Sequence, residues 1–183
     1  MRVLGLDQSE SSCGYALWGP GDPVVISGTW ALGSEYSSYG RTFAKLHENV
    51  WQLHQVSPID AVFYEKPRHL DGFNINSTAH AHFLLVGIAA HIESVGTAMK
   101  CGLVKAVHMK TWRSFFLGKM HGASKSKDLK QLAMERARQL GFKPRKHDEA
   151  EAIGIMDYGL EMVGVTPPWR EHEVLRPALA GAL

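Results

Sequence analysis

The sequence predicts an α/β fold built on a five-stranded mixed sheet flanked by helices. Two observations carry this prediction: short apolar runs of β-favouring residues alternate with amphipathic segments, and two of those segments are each followed by another apolar run. The 183 residues suit one domain that buries roughly 70% of its unfolded surface. With 45% apolar and 21% charged residues, the composition excludes a collagen-like or wholly disordered chain.

Three strands open the predicted order. Residues 2–6, 13–18 and 24–32 are short runs rich in apolar and β-favouring side chains, and clusters of Ser, Gly and Pro separate them. Tight turns between consecutive strands would make the three antiparallel.

Two helices then alternate with two strands. The first helix has an apolar face that recurs at three- and four-residue steps from Phe43 to Leu53. A strand at 59–64 follows it and ends at Glu65, and a return to the sheet after a helix usually gives a parallel strand. The second helix spans 76–99 and precedes a fifth strand at 103–107.

Two more helices complete the order. Residues 127–140 have a clear amphipathic stripe, and residues 148–163 form the last predicted helix. We assign residues 1–165 to one domain and residues 166–183 to a C-terminal tail.

The charge of the chain is unevenly distributed. Residues 100–146 contain 13 Lys or Arg against two acids, whereas the remaining residues contain 7 bases and 16 acids. This division indicates either a region that binds a polyanion, beside an acidic part able to hold cations, or a solvated basic helix.

The sequence favours a cytoplasmic protein without a membrane partner. Its best apolar run, FLLVGIAA at 83–90, is shorter than the roughly 20 residues that a membrane helix needs. The N-terminus lacks the pattern of a secretory signal, and the two cysteines form no CxxC pair.

Four acids fall at the ends of predicted elements. Asp7 ends the first strand and Glu65 the fourth, while Asp148 and Glu151 open the last helix, where positions three apart share a face. A carboxylate cluster resists ionisation unless cations are present, and oxygen ligands select Mg²⁺ or Mn²⁺ over Zn²⁺. Two such ions would activate a water and stabilise the leaving oxygen of a phosphodiester.

Each acid alone also has a structural explanation. Asp7 can cap a turn, and Glu65 can pair with a neighbouring base. Asp148 can favour the positive end of a helix. The combination, in this order and beside a basic segment, points to a common cause.

Three stretches carry a resemblance to a known family: LGLDQSESSCGYALW, VFYEKP and KHDEAEAIGIMDYGL. They resemble the RuvC-type Holliday junction resolvases of the ribonuclease-H-like superfamily, especially the bacteriophage and prophage relatives, over residues 1–163. The resemblance implies a ribonuclease-H-like five-stranded sheet and a homodimer. It also implies Mg²⁺-dependent nicking of two opposed strands at a four-way DNA junction, leaving 5′-phosphates, with no small-molecule substrate.

The resemblance assigns catalytic and metal-binding roles to Asp7, Glu65, Asp148 and Glu151, with two Mg²⁺ per site that Mn²⁺ can replace. The family commonly has Asp where this chain has Glu151. The usual Asp-Pro-Gly after the first strand is here Asp7 followed by Gln8 and Ser9.

Several side chains are expected to contact DNA. Bases beside Glu65 and in the basic segment would bind phosphates, and Phe73, the first aromatic after Glu65, would stack on a base. The expected phosphate contacts are Lys66, Arg68, Lys110, Lys119, Lys125 and Lys127. The five Trp are expected in the core or at its rim, with Trp112 and Arg113 as a possible DNA edge. The helix at 76–99 would supply a dimer contact, pack on its own sheet, or do each with a different side.

Three other functions stay open on the sequence alone. The first is another ribonuclease-H-like nuclease that acts on RNA–DNA hybrids or flaps. The second is an actin-like ATPase or sugar kinase, and the third is a DNA-junction-binding protein without catalysis. Four intact acids argue against the last, and 183 residues hold one of the two domains that an actin-like kinase needs.

Overall fold

A computed structural model describes residues 1–34, 36–67, 79–118 and 126–171, apart from the side chains at 126 and 127. Within these ranges, five strands and six helices alternate in an α/β order. They are β1 (Val3–Gln8), β2 (Ser12–Trp18), β3 (Ile26–Ala31), α1 (Tyr39–Val56), β4 (Ala61–Glu65), α2 (Ala79–Ala98), β5 (Leu103–Val107), α3 (Met109–Leu117), α4 (Ser126–Gln139), α5 (His147–Met162) and α6 (Pro168–Glu171).

The five strands form one mixed sheet in the order β3-β2-β1-β4-β5. β1 pairs with β2 and β2 with β3 in antiparallel fashion, whereas β4 is parallel to both β1 and β5. The predicted mixed sheet is therefore confirmed, as are the antiparallel first three strands and the parallel fourth.

Helices cover both faces of the sheet. Apolar residues of α1 and α2 pack on one face, around Leu46 and Ile88, and those of α3, α4 and α5 pack on the other, around Phe116 and Ile153. The apolar stripe predicted for the first helix is correct, because Leu46 and Val50 are buried.

Helix α3 was missed at the sequence level. It spans nine residues, its N-cap residue His108 makes no side-chain capping bond, and it ends at Gly118. Its apolar residues Met109, Trp112 and Phe116 recur at helical steps of three and four. The helix spans only nine residues, however, and no side-chain cap marks its start.

Helix α2 is long and apolar enough to cross a membrane by length and composition, which the sequence expectation did not anticipate. One such helix is weak evidence, because the core helix of a soluble protein passes the same test. In this fold α2 packs against α1, β4 and β5 and buries Ile88 and Ile92 completely.

Strand alternation sets the direction of the first acid. Along β1, Leu4 and Leu6 point towards α1 and α2, so Val3 and Asp7 point towards α5 on the opposite face. Glu65 follows the same rule on β4, because it shares the face of Phe63. Both acids are therefore aimed at the layer that contains α5.

Two glycines allow α5 to lie close against the sheet. A Cβ added at Gly5 would lie 2.4 Å from the backbone nitrogen of Met156, and one at Gly14 would lie 1.9 Å from the carbonyl oxygen of Asp148. Because Gly14 is paired with Asp7 across β1 and β2, this contact brings the start of α5 beside Asp7.

The chain after residue 165 continues onto the domain. The indole N–H of Trp169 in α6 donates a 2.8 Å hydrogen bond to the buried Asp157, and its ring packs edge-on against Trp18. Arg170 forms a 2.9 Å ion pair with Asp157. The described part of the segment interpreted as a tail is thus packed, and residues 172–183 lie outside the described ranges.

Candidate active site

Three of the four acids singled out in the sequence meet at one place. Carboxylate oxygens of Asp7, Asp148 and Glu151 all lie within 4.8 Å of one another. Asp7 comes from β1 and the other two from the first turns of α5, so residues 141 or more positions apart in the chain share one site. Asp7 and Glu151 are buried, and Asp148 is partly exposed.

Glu65 lies next to this group but is not one of the three. The parallel register pairs Leu6 with Tyr64, so the next residues along, Asp7 and Glu65, end neighbouring strands at the same edge. The side-chain amide of Gln8 donates a 2.5 Å hydrogen bond to the carbonyl of Glu65 and joins the two strand ends. The Glu65 carboxylate accepts a 3.0 Å hydrogen bond from the indole N–H of Trp112.

Hydrogen bonds from the sheet fix the start of α5. The hydroxyl of Ser12 on β2 donates to Asp148 over 2.7 Å. The neighbouring Glu149 is buried and points away from the site, where it accepts bonds of 2.8 Å from the Ser27 hydroxyl and from the backbone N–H of Arg145. Glu149 therefore anchors the start of α5 to the sheet. Glu151, three positions after Asp148, is the acid that shares the site with Asp148.

Two cations from other helices face the acids. Arg113 of α3 forms a buried ion pair with Glu151. The ammonium of Lys130 on α4 lies 3.7 Å from Asp148 and 3.7 Å from Glu151. Sequence patterns gave no signal for either contact, because both depend on how α3 and α4 pack against α5.

The site has the electrostatic character of a cation site. Burial raises the pKa of Asp7 well above its usual range, and the charges of Glu151, Glu65 and Asp148 raise it further. Divalent cations reverse this penalty by stabilising the ionised carboxylates.

The donor set is made of oxygen atoms. The thiol of Cys13 nearby has a pKa raised well above its usual range, by burial first and then by Asp7 and Asp148, so it stays protonated. Carboxylate oxygens without a thiolate suit a hard divalent cation such as Mg²⁺ or Mn²⁺, so the residues present fit the ions expected from the sequence.

Comparison with solved structures finds the same fold in a known protein. RuvC of Thermus thermophilus, in complex with a Holliday junction substrate, has a TM-score of 0.65 and 15% sequence identity, covering 85% of this chain and 90% of that chain. A second Thermus thermophilus RuvC structure has a TM-score of 0.64 and 16% identity, covering 90% of this chain and 98% of that chain. This chain has the RuvC fold. The ribonuclease-H-like sheet expected from the resemblance is thereby confirmed.

A yeast resolvase is a more distant structural neighbour than the two RuvC structures. The yeast mitochondrial Holliday junction resolvase Ydc2 has a TM-score of 0.47 at 15% identity, covering 84% of this chain and 75% of that chain. No family model and no curated protein sequence matches this chain.

On this RuvC fold, the residues expected to contact DNA are only partly described. Lys66 follows β4 and is half-buried, and Lys110 is exposed on α3. The others fall outside the described residues or side chains and stay predictions: Arg68, Phe73, Lys119, Lys125 and Lys127.

The core position expected for the tryptophans is confirmed for Trp112, whereas the DNA edge suggested at Trp112 and Arg113 is wrong. Trp112 is 0% exposed and Arg113 is 4% exposed, so neither side chain is available to a DNA strand. Both face the acidic site instead. His147, which precedes Asp148 in the sequence, is exposed at the start of α5. Its ring nitrogen Nδ1 lies 3.3 Å from the carbonyl oxygen of Lys130.

Proposed function

We propose that this protein is a divalent-metal-dependent endonuclease that resolves four-way DNA junctions or related branched DNA. The observation that carries the proposal is the meeting of Asp7, Asp148 and Glu151 within 4.8 Å on a RuvC fold. One of the RuvC structures with this fold contains a Holliday junction substrate, which supports branched DNA as the substrate class.

In this proposal, Asp7, Asp148 and Glu151 bind the cations together with Glu65. Two Mg²⁺ or Mn²⁺ bound there would activate water and stabilise the leaving oxygen of the phosphodiester. Buried carboxylates keep fixed positions, and the start of α5, held by Ser12, aligns two of them. Hydrolysis would leave 5′-phosphates, as the family resemblance implies.

Binding of the DNA backbone would depend on the basic segment. Lys110 on α3 and three bases just before α5 are exposed on the side of the sheet that bears the acids. Those three are Lys143, Arg145 and Lys146. Phosphate contacts from such side chains give affinity and salt dependence without reading the base sequence.

A homodimer would explain paired cuts in a two-fold substrate. One side of α2 packs on its own sheet through Ile88 and Ile92, whereas Phe83 on the same helix is 57% exposed beside Tyr39. A symmetric contact through this exposed side would place two sites about a two-fold axis. Phe83→Glu should then give a monomer that nicks single strands without paired cuts.

The test is a cleavage assay on mobile four-way DNA with Mg²⁺, Mn²⁺ and Ca²⁺ in parallel, beside flaps and an RNA–DNA hybrid. Asp148→Asn should abolish nicking and leave junction binding in a gel shift largely intact. Glu48→Gln, an exposed acid on α1, is the matched control. Binding without nicking by the unmodified protein would indicate a non-catalytic junction protein, and preferential cutting of the hybrid would indicate a ribonuclease.

A further inference from the structure

Two neighbouring residues of α3 each hold one glutamate of the acidic site. Trp112 donates its indole N–H to Oε2 of Glu65 over 3.0 Å, and Arg113 forms an ion pair with Glu151. Glu65 ends β4 and Glu151 lies on α5. A single turn of α3 therefore connects two separate elements that contribute acids.

The bond from Trp112 is directional. The ring is 0% exposed, and a buried indole N–H needs an acceptor because it can only donate. A hydrogen bond to an ionised carboxylate is shorter and stronger than one between neutral groups. It therefore fixes the position of one Glu65 oxygen.

The environment of Arg113 is unfavourable for an arginine placed only for stability. Its Nε is buried and has no hydrogen-bond partner among the described residues, and its Nη1 lies 2.9 Å from the sulfur of Met109, a weak acceptor. Incompletely satisfied buried polar groups are rare and call for an explanation. Here the guanidinium pairs with the carboxylate of Glu151, which is itself buried at the site.

Packing holds the two side chains in place. The guanidinium carbon of Arg113 lies 5.2 Å from the centroid of the Trp112 ring. On α5, a Cβ added at Gly154 would lie 2.9 Å from atoms of Trp112 and Phe116, so α3 docks where α5 has no side chain. The turn that carries Trp112 and Arg113 is thus fixed against the helix that carries Glu151.

We propose that Trp112 and Arg113 are positioning residues that orient Glu65 and Glu151 for divalent cations. The inference rests on the proposed function for the identity of the ligand. Groups that orient metal ligands typically change metal affinity by about 10–100-fold when they are removed.

The test uses two substitutions that leave the net charge of the site unchanged. Trp112→Phe keeps an aromatic ring and removes the N–H donor, and Arg113→Lys keeps the positive charge and removes the planar fork. Because the charge is constant, a change in cation affinity reports orientation. Trp51→Phe and Arg41→Lys, both exposed on α1, are the matched controls.

Mn²⁺ and Mg²⁺ affinities are measured by calorimetry on the metal-free protein without DNA. We expect each variant to bind about tenfold more weakly or worse, and the controls to bind as the unmodified protein does. The Mg²⁺ concentration for half-maximal nicking should rise in parallel, and saturating Mg²⁺ should restore most of the rate. A purely structural role would lower the melting temperature without this shift in metal dependence.

Unchanged cation affinity in folded variants would overturn the proposal, and so would an unmodified protein that binds neither ion. If Trp112→Phe does not fold, the affinity of Arg113→Lys decides the result. A protein that binds Mn²⁺ but leaves every branched DNA uncut would refute the proposed function, whereas the affinity measurements would still test the positioning role.

Discussion

The ammonium nitrogen of Lys130 lies 3.7 Å from a carboxylate oxygen of Asp148. The same nitrogen lies 3.7 Å from Glu151, so one side chain of α4 faces both acids of α5. Burial and three neighbouring carboxylates raise the pKa of Asp7, and the positive charge of Lys130 partly offsets this rise. Without a divalent cation, Lys130 is thus part of the counter-charge of the site.

Lys130→Met should have opposite effects on the metal-free and the metal-bound protein. The side chain is 40% exposed, so the loss of its two ion pairs should cost about 1 kcal/mol, or roughly 2–4 °C in melting temperature, without metal. Calorimetry should show tighter Mn²⁺ binding, because a competing positive charge has been removed. Lys45→Met, exposed on α1, is the control, and weaker Mn²⁺ binding in Lys130→Met would contradict this account.

Gly14→Ala should damage the site through the backbone. The added Cβ would lie 1.9 Å from the Asp148 carbonyl oxygen, so the start of α5 must move away from β2. We expect a loss of about 1–3 kcal/mol in the free energy of unfolding, measured in urea, and a loss of nicking. At Gly40, in the first turn of α1, an added Cβ meets nothing within 4 Å, so Gly40→Ala should lower neither the free energy of unfolding nor the nicking rate. Full nicking by Gly14→Ala would show that the site tolerates this displacement.

Glu151→Asp introduces the residue that is common in the RuvC-type resolvases that the sequence resembles, and it should destabilise this protein. The shorter side chain withdraws its carboxylate from the buried Arg113 and leaves the guanidinium poorly paired. Chemical denaturation should show a loss of about 1–3 kcal/mol. The control Glu48→Asp, on the exposed face of α1, should show no loss of stability. If both variants are equally stable, the pairing of Arg113 does not depend on the side-chain length at position 151.

A pair of histidines between α1 and α2 should make the fold sensitive to acid. His91 Nδ1 lies 3.0 Å from His47 Nε2, and the pKa of His91 is lowered, by burial first and then by His47. A lowered pKa means that the unfolded chain binds the proton more tightly. The stability from this pair is therefore complete above pH 6.5 and is lost as the pH falls through the pKa of the folded protein.

Thermal melts from pH 7.5 to pH 5 test this dependence. His91→Gln should reduce the fall in melting temperature on acidification, because it removes the group whose pKa is lowered. His47→Gln should have the same effect, because it removes a positive charge that disfavours protonation of His91. Parallel curves for the unmodified protein and both variants would assign the acid sensitivity to other groups.

Truncation should show where the domain ends. A chain that stops at residue 165 loses Trp169 and Arg170, which bind the buried Asp157, whereas a chain that stops at residue 171 keeps them. We expect the shorter chain to be less stable by about 1–3 kcal/mol, since it removes an ion pair and a hydrogen bond from a buried carboxylate. Equal urea midpoints for the two chains would support a boundary at residue 165.

Local patterns in the sequence were sufficient for most elements of the fold. Strand runs, the helix after them and the parallel return to the sheet depend on side chains a few positions apart, and the observed strands agree with them. The exceptions are α3, which has no side-chain cap at its start, and the four-residue helix α6, which lies in the segment interpreted as a tail. The tight packing of Trp169 was missed for a similar reason, because only its distant partners reveal it.

The candidate site was predictable in its acids and not in their surroundings. Asp7, Glu65, Asp148 and Glu151 stand at the ends of elements, a position that the sequence itself displays. Their order along the chain also carried the resemblance to RuvC. The roles of Trp112 and Arg113 were not predictable. Tryptophan and arginine occur both at exposed DNA contacts and at buried sites, and the sequence does not distinguish the two.

The sequence by itself determined the five strands, the four longer helices and the carboxylates at their ends, because these follow from interactions between near neighbours. Only the tertiary structure decided that Ser12 holds Asp148 from 136 positions away and that α3 holds two of the glutamates. The physical reason is that these contacts depend on the strand register and on the close approach of α5 at Gly5 and Gly14. Both are properties of the packed layers and leave no periodic trace in the chain.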